Sequence, residues 1–205
     1  MRFPVAQGPS SELSAPTSVA QGPSPEPAAP REGRPRPKGQ QRSQFRRYGE
    51  PGTCYLVTTN THNRRPLFLD PHLCQIVLEN LRFYRDRLDF LLHAYVVMPD
   101  HLHLLITPQR MTLSDIMRDV KSYTAKQIRE TLCESGSVWQ TRFHDRGIRT
   151  EIQFLAAVDY IHQNPVKAAL AESAEGYDFS SARAYSGWAP AGLAVDLLDG
   201  SRLGP

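Results

Sequence analysis

No stretch of the 205-residue sequence approaches the roughly 20 apolar residues that a bilayer span needs, so a transmembrane class is not expected. Met1-Arg2 runs into Phe, Pro, Ala and Ser rather than a long apolar segment, so a secretory leader is not expected either. Cysteine is scarce: Cys54, Cys74 and Cys133 lack disulfide-like pairing and form no Cys-x-x-Cys, which points to free thiols in a reducing compartment and a cytoplasmic protein. Hydrophobic residues make up 40%, low for a fully folded chain of this length, and the 17 prolines show where the shortfall lies. Many of them fall within the first fifty residues. A net charge of +3 permits a nucleic-acid partner without requiring one.

Residues 1–44 are rich in Pro, Ser, Gly, Ala and Gln and hold almost nothing to bury, so ordering them would cost more entropy than contacts return. They are expected to form a disordered tail with a basic end. From Arg31 to Arg47 the chain carries Arg31, Arg34, Arg36, Lys38, Arg42, Arg46 and Arg47 against the single acid Glu32. A solvated linker and an electrostatic arm for phosphate backbones fit this run equally well. One folded domain is expected over residues 45–187, with 188–205 as a loose tail lacking a clear hydrophobic period.

Within that domain, Thr53 to Asn60 is dense in β-branched and aromatic residues and reads as a strand. Asp70-Pro71 supplies a cap and a first-turn proline, after which Leu73, Ile76, Val77, Leu81, Tyr84 and Leu88 recur at helical spacing. Phe90 to Met98 and His101 to Thr107 read as two strands joined at Pro99-Asp100. Thr112 caps a second helix whose buried side runs through Leu113, Ile116, Met117, Val120, Tyr123 or Thr124, Ile128 and Leu132. Val138 to His144 reads as a fourth strand with Gln140, Arg142 and His144 on one face. The order strand, helix, strand, strand, helix, strand is the ferredoxin-like βαββαβ arrangement, an α+β fold with an antiparallel sheet. A further C-terminal helix starts at Thr150, with Gln153 completing a capping box. It turns Phe154, Leu155, Val158 and Ile161 inward and is expected to end near Asn164-Pro165, with room for one further turn over Val166 to Leu170.

The chemistry gathers at His101-Leu102-His103. Strand side chains alternate, so both imidazoles project to one side, an arrangement suited to a divalent cation. A His-x-His pair by itself is explained as well by hydrogen-bonded core histidines, and the context must supply a third ligand and a reactive group. Tyr160 and Asn164, four apart, share one face of the last helix. Spacing alone explains that pair better as an interior tyrosine and a helix-capping asparagine.

Several motifs in order change that balance. Met98-Pro99-Asp100 before His101-Leu102-His103, then Trp139-Gln140 to Phe143, then Tyr160-Ile161-His162-Gln163-Asn164-Pro165-Val166-Lys167, and Phe179-Ser180-Ser181 before Tyr185 resemble the REP-associated tyrosine transposases. These are single-tyrosine HUH transposases with an IS200-like domain, and the resemblance runs from about Phe45 to Tyr185. It implies that His101, His103 and Asn164 bind a divalent metal, Mg2+ or Mn2+, and that Tyr160 is the nucleophile. Two imidazoles and an amide leave the cation's charge uncompensated, free to polarise a phosphodiester oxygen. A phenol, whose reference pKa is about 10, needs such help near neutral pH. The implied product is a 5′-phosphotyrosine link with a free 3′ hydroxyl, formed on single-stranded or hairpin DNA.

The residues expected to meet DNA are Arg42, Arg46, Arg47, Lys121, Gln140 and Arg142. Tyr123, read as lying on an apolar helix face, is the lesser candidate nucleophile. A non-catalytic hairpin-binding regulator of the same fold is the alternative. A His-x-His-x-His phosphohydrolase is disfavoured because Leu105 stands where its third histidine would be. Monomer and homodimer both remain open.

Overall fold

A computed structural model describes residues 52–88, 90–188 and 192–197. Four strands, β1 (Cys54–Asn60), β2 (Phe90–Met98), β3 (His101–Pro108) and β4 (His144–Ile148), form one antiparallel sheet in the order β2-β3-β1-β4. Helix α1 (Pro71–Leu88) links β1 to β2, α2 (Leu113–Leu132) links β3 to β4, and α3 (Glu151–Lys167) and the short α4 (Ala182–Tyr185) follow. This is the expected α+β, ferredoxin-like arrangement with an added helix. The arm residues Arg42, Arg46 and Arg47 lie outside the described residues. No helix among the described residues is long and apolar enough to cross a membrane.

Period-two alternation divides the sheet into two cores. Val57, Tyr95, Val97, Leu102, Leu104 and Ile106 pack with α1 and α2 on one face. Ala94, Val96, Met98 and Leu105 pack on the other with Phe154, Ala157, Val158 and Ile161 of α3. The helices start where the caps say they should. Asp70 Oδ1 accepts from the His72 N–H at 2.9 Å, and Thr112 Oγ1 accepts from the Asp115 N–H at 3.2 Å. Thr150 Oγ1 accepts from the Gln153 N–H at 3.2 Å, while Gln153 Oε1 takes the Arg149 N–H at 2.9 Å.

Four sequence expectations need correction. The fourth strand is His144–Ile148, not Val138–His144. Val138 and Trp139 are buried, but from an irregular segment that meets the end of β1 through an isolated bridge between Thr61 and Trp139. Helix α3 continues through Pro165 to Lys167. Proline there removes one N–H from the ladder, and its burial on the helix's apolar face offsets that loss. Leu155 is 57% exposed, because the buried face of α3 runs through Phe154, Ala157, Val158 and Ile161. Tyr123 also points outward, stacked with Phe83 at 6.2 Å, and Thr124 takes the buried position of α2.

The tail also differs from expectation at residues 192–197. β2 is a sheet edge, and its unpaired backbone groups need partners. The Val97 N–H donates to Phe179 O at 2.9 Å and the Ser181 N–H to Tyr95 O at 3.0 Å. Further along, the Asp196 N–H donates to Leu92 O at 2.7 Å, Asp196 Oδ2 takes the Leu92 N–H at 2.9 Å, and Arg85 pairs with Asp196 at 2.7 Å. This segment therefore belongs to the folded body.

Candidate metal and tyrosine site

The sheet face covered by α3 also carries His101 and His103. In the antiparallel register Thr58 lies opposite His103, Asn60 opposite His101, and Thr58 also opposite His144 of β4. The two imidazole centroids are 4.8 Å apart with the rings at 85°. Each ring is held through Nδ1: His101 donates to Asp100 Oδ1 at 2.6 Å, and His103 meets Thr58 Oγ1 at 2.8 Å. With Nδ1 as donor, the Nε2 lone pair of each ring is left for a ligand.

Electrostatics keep His103 neutral. It is 3% exposed, and burial, together with the charges of His101 and Arg64, lowers its pKa to about 3. Its Nε2 is buried without a hydrogen-bond partner. A buried orphan of this kind calls for an explanation, and a cation accepting the lone pair supplies one. Asp100 is partly buried, which opposes ionisation, yet hydrogen bonding and charge from His101 and from Arg64 at 3.1 Å outweigh that and lower its pKa. The carboxylate thus stays available to orient His101.

Helix α3 brings the tyrosine to this pair. Its apolar face packs on the sheet, which turns Tyr160 toward the histidines at the margin of the contact. The Tyr160 ring lies 5.2 Å from the His103 ring, and 41% of the residue remains exposed. Lys167 Nζ sits 5.9 Å from the same ring. One turn along, Asn164 Nδ2 donates to Tyr160 O at 2.6 Å. That bond occupies the amide nitrogen and leaves the oxygen, the atom a cation requires. Among the described residues no group of three or more His, Cys, Asp or Glu could hold a metal, so a centre here must be completed by an amide oxygen or water. Imidazole nitrogens and an amide oxygen are donor types that a divalent ion accepts.

Anchors that sequence reasoning missed hold α3 in place. His162 Nε2 is hydrogen-bonded to Ser181 Oγ at 2.8 Å, while Ser181 Oγ accepts the Tyr95 N–H at 3.0 Å. Burial lowers the His162 pKa to about 4 against the opposing pull of Asp159 and Glu175. Tyr185 and Tyr177 donate to His93 O and Val97 O at 2.9 and 2.8 Å. His162, Ser181 and Tyr185 of the sequence motifs thus serve as struts.

The remaining candidates are placed less directly. Lys121 Nζ donates to the carbonyls of Gln140 at 2.6 Å, Thr141 at 3.2 Å and Arg142 at 3.5 Å, and burial lowers its pKa. It clamps the loop before β4 rather than facing solvent freely. Gln140 bonds to Asn60 beside His101, whereas Arg142 is exposed on the loop. The one-face grouping of Gln140, Arg142 and His144 dissolves with the misplaced strand.

The matching family model is described as "Transposase IS200 like" and spans residues 53–164, from the start of β1 through Asn164. A REP-associated tyrosine transposase from Escherichia coli K12 is 32% identical over 141 residues, covering 68% of this chain and 82% of that protein. The chain belongs to the IS200-like, REP-associated tyrosine transposase family. A putative REP-associated tyrosine transposase from Haemophilus influenzae is 26% identical over 151 residues, with 68% and 85% coverage. A solved structure described as a REP-associated tyrosine transposase bound to a REP hairpin aligns with a TM-score of 0.59 and 30% identity. It covers 78% of this chain and 96% of that one, so this family fold accounts for nearly all of the solved chain. As a family of transposases these are DNA strand-transfer enzymes. All four sequence-singled residues, His101, His103, Tyr160 and Asn164, fall inside the matched region.

Proposed function

We propose that this chain cleaves and rejoins single-stranded, hairpin-associated DNA at a REP-like element, with Tyr160 as nucleophile and a Mg2+ or Mn2+ ion held by His101, His103 and Asn164. The observation that carries the reading is the Tyr160 ring against His103, whose Nε2 is buried and unpartnered. Membership of the family and the hairpin bound in the solved relative support the substrate class.

The chain's own groups divide the work. Thr58 and Asp100 hold the two imidazoles with Nε2 lone pairs presented, and the low pKa of His103 keeps that lone pair free at neutral pH. The bound ion supplies Lewis acidity toward a phosphodiester oxygen. The Tyr160 oxygen, giving up its phenolic proton to solvent, attacks the phosphorus and forms a 5′-phosphotyrosine ester as the bond to the 3′ oxygen breaks. That oxygen leaves as the 3′ hydroxyl after gaining a proton. Attack by a 3′ hydroxyl on the phosphotyrosine reverses the exchange and joins strands. The ester preserves the energy of the original bond, so no nucleotide cofactor is consumed. The protein would act in the cytoplasm, on cellular DNA.

Incubating the full chain with end-labelled hairpin DNA and Mg2+ or Mn2+ tests the reading. A labelled species stable to SDS and lost with EDTA is expected. Tight hairpin binding with no adduct under either ion would contradict it and favour a hairpin-binding regulator.

A further inference from the structure

Among the described residues four buried side-chain atoms lack a hydrogen-bond partner: Thr59 Oγ1, Asn60 Oδ1, His103 Nε2 and Trp139 Nε1. The metal reading accounts for His103. Asn60 lies directly opposite His101 in the β1–β3 register. Strand alternation places it on the same face as Leu56, which packs on the α3 side, and Thr58, which bonds His103. Asn60 is only 7% exposed.

Its orientation is set from behind. Asn60 Nδ2 donates to Gln140 Oε1 at 3.4 Å, and Asn60 O accepts the Gln140 N–H at 2.9 Å. The nitrogen is thus turned toward Gln140 and the oxygen away from it. Leaving a buried acceptor unmet is costly, so an acceptor kept in that state beside two metal-type imidazoles points to a donor that arrives with the ion. An asparagine side chain is shorter than a histidine's. A water on a bound ion is a donor that would meet that oxygen across the gap.

We propose that Asn60 is a positioning residue of the metal centre, its Oδ1 accepting a hydrogen bond from a water on the ion that His101 and His103 hold. This rests on the metal reading above. It extends the centre from β3 to β1. It also links the ion, through Gln140, to the loop clamped by Lys121.

Mn2+ alone, without DNA, is titrated into the full-length protein and followed by electron paramagnetic resonance, which counts free ion. Asn60→Ala is expected to raise the Mn2+ Kd about tenfold, a typical loss for an outer-shell partner, while Gln140→Ala, which frees the amide but leaves its oxygen in place, raises it by less. Asn60→Asp keeps an acceptor and adds charge, so its Kd should equal or fall below that of wild type. It also serves where the alanine variant fails to fold. An unchanged Kd in Asn60→Ala would overturn the proposal, as would Gln140→Ala weakening binding equally, since the role would then be holding the loop. Weakening in Asn60→Asp would overturn it too. No Mn2+ binding by wild type, or wild-type binding by His101→Ala, would instead remove the metal reading itself and this proposal with it.

Discussion

Acid should loosen this fold through His162, and the size of the effect can be worked from its surroundings. The ring is buried between α3 and the residues around Ser181 that pair with the β2 edge, hydrogen-bonded to Ser181 Oγ at 2.8 Å and lying 5.0 Å from the Tyr185 ring. Its folded pKa is lowered to about 4 from the ordinary 6.5. A depressed histidine pKa means that the unfolded chain takes up a proton as pH falls through about 6.5, whereas the native ring stays neutral until about 4. Stability is therefore full above about 6.5 and is lost progressively as pH falls toward 4, the sign set by the unfolded state binding more protons. The penalty at pH 5 is ~2 kcal/mol, and it approaches ~3 kcal/mol below the folded pKa. Urea unfolding at pH 7 and pH 5, in EDTA, compares wild type with His162→Gln, whose amide nitrogen can still donate to Ser181. Carboxylates and His103 contribute alike to both proteins, so the difference of differences isolates this ring. The glutamine variant should lose ~2 kcal/mol less than wild type between the two pH values. Identical losses would refute the reasoning.

Further outcomes follow from the site, its supports and the basic arm. His101→Ala and His103→Ala should abolish DNA cleavage while circular dichroism shows a folded chain, and Asn164→Ala should weaken Mn2+ binding less, because water can fill its place; retained cleavage in either histidine variant would count against the centre. Lys121→Met removes three contacts to loop carbonyls and should cost about 1–3 kcal/mol in urea unfolding. Deleting residues 1–44 should leave a cooperatively folding domain. Neutralising Arg42, Arg46 and Arg47 should lower hairpin affinity and flatten its dependence on salt in a binding titration.

What could be read from the sequence follows the locality of the signals. β1 to β3, α1 and α2 show in alternation, helical period and caps, because each pattern is written in neighbouring residues. β4 does not. His-Asp-Arg-Gly-Ile has weak strand propensity and becomes a strand by pairing with β1, whereas Val138-Trp139 has strong propensity and packs into the core without forming one. Pro165 marks a helix end by its local effect, but α3 passes through it where burial compensates. At the site, the histidine pair shows in strand spacing and Tyr160 only through the resemblance of its motif, and the structure brings those rings together. Thr58 and Asn60 are invisible there, because they meet His103 and His101 only through cross-strand register. The docking of Leu193 and Asp196 on Tyr95, Leu92 and Arg85 spans about a hundred residues of chain and leaves no local period.

The central claim is that Tyr160 forms the covalent bond to DNA. Tyr160→Phe removes a single oxygen from a ring whose packing against His103 remains, so hairpin binding and unfolding free energy should stay near wild type while cleavage and adduct vanish. Tyr123→Phe should keep all of them. The most direct measurement is proteolysis of the trapped adduct followed by mass spectrometry of the DNA-linked peptide. Attachment within the Asp159-Tyr160-Ile161-His162 segment, at the tyrosine oxygen, is the expected result; attachment at Tyr123, or an adduct that persists in Tyr160→Phe, would contradict it.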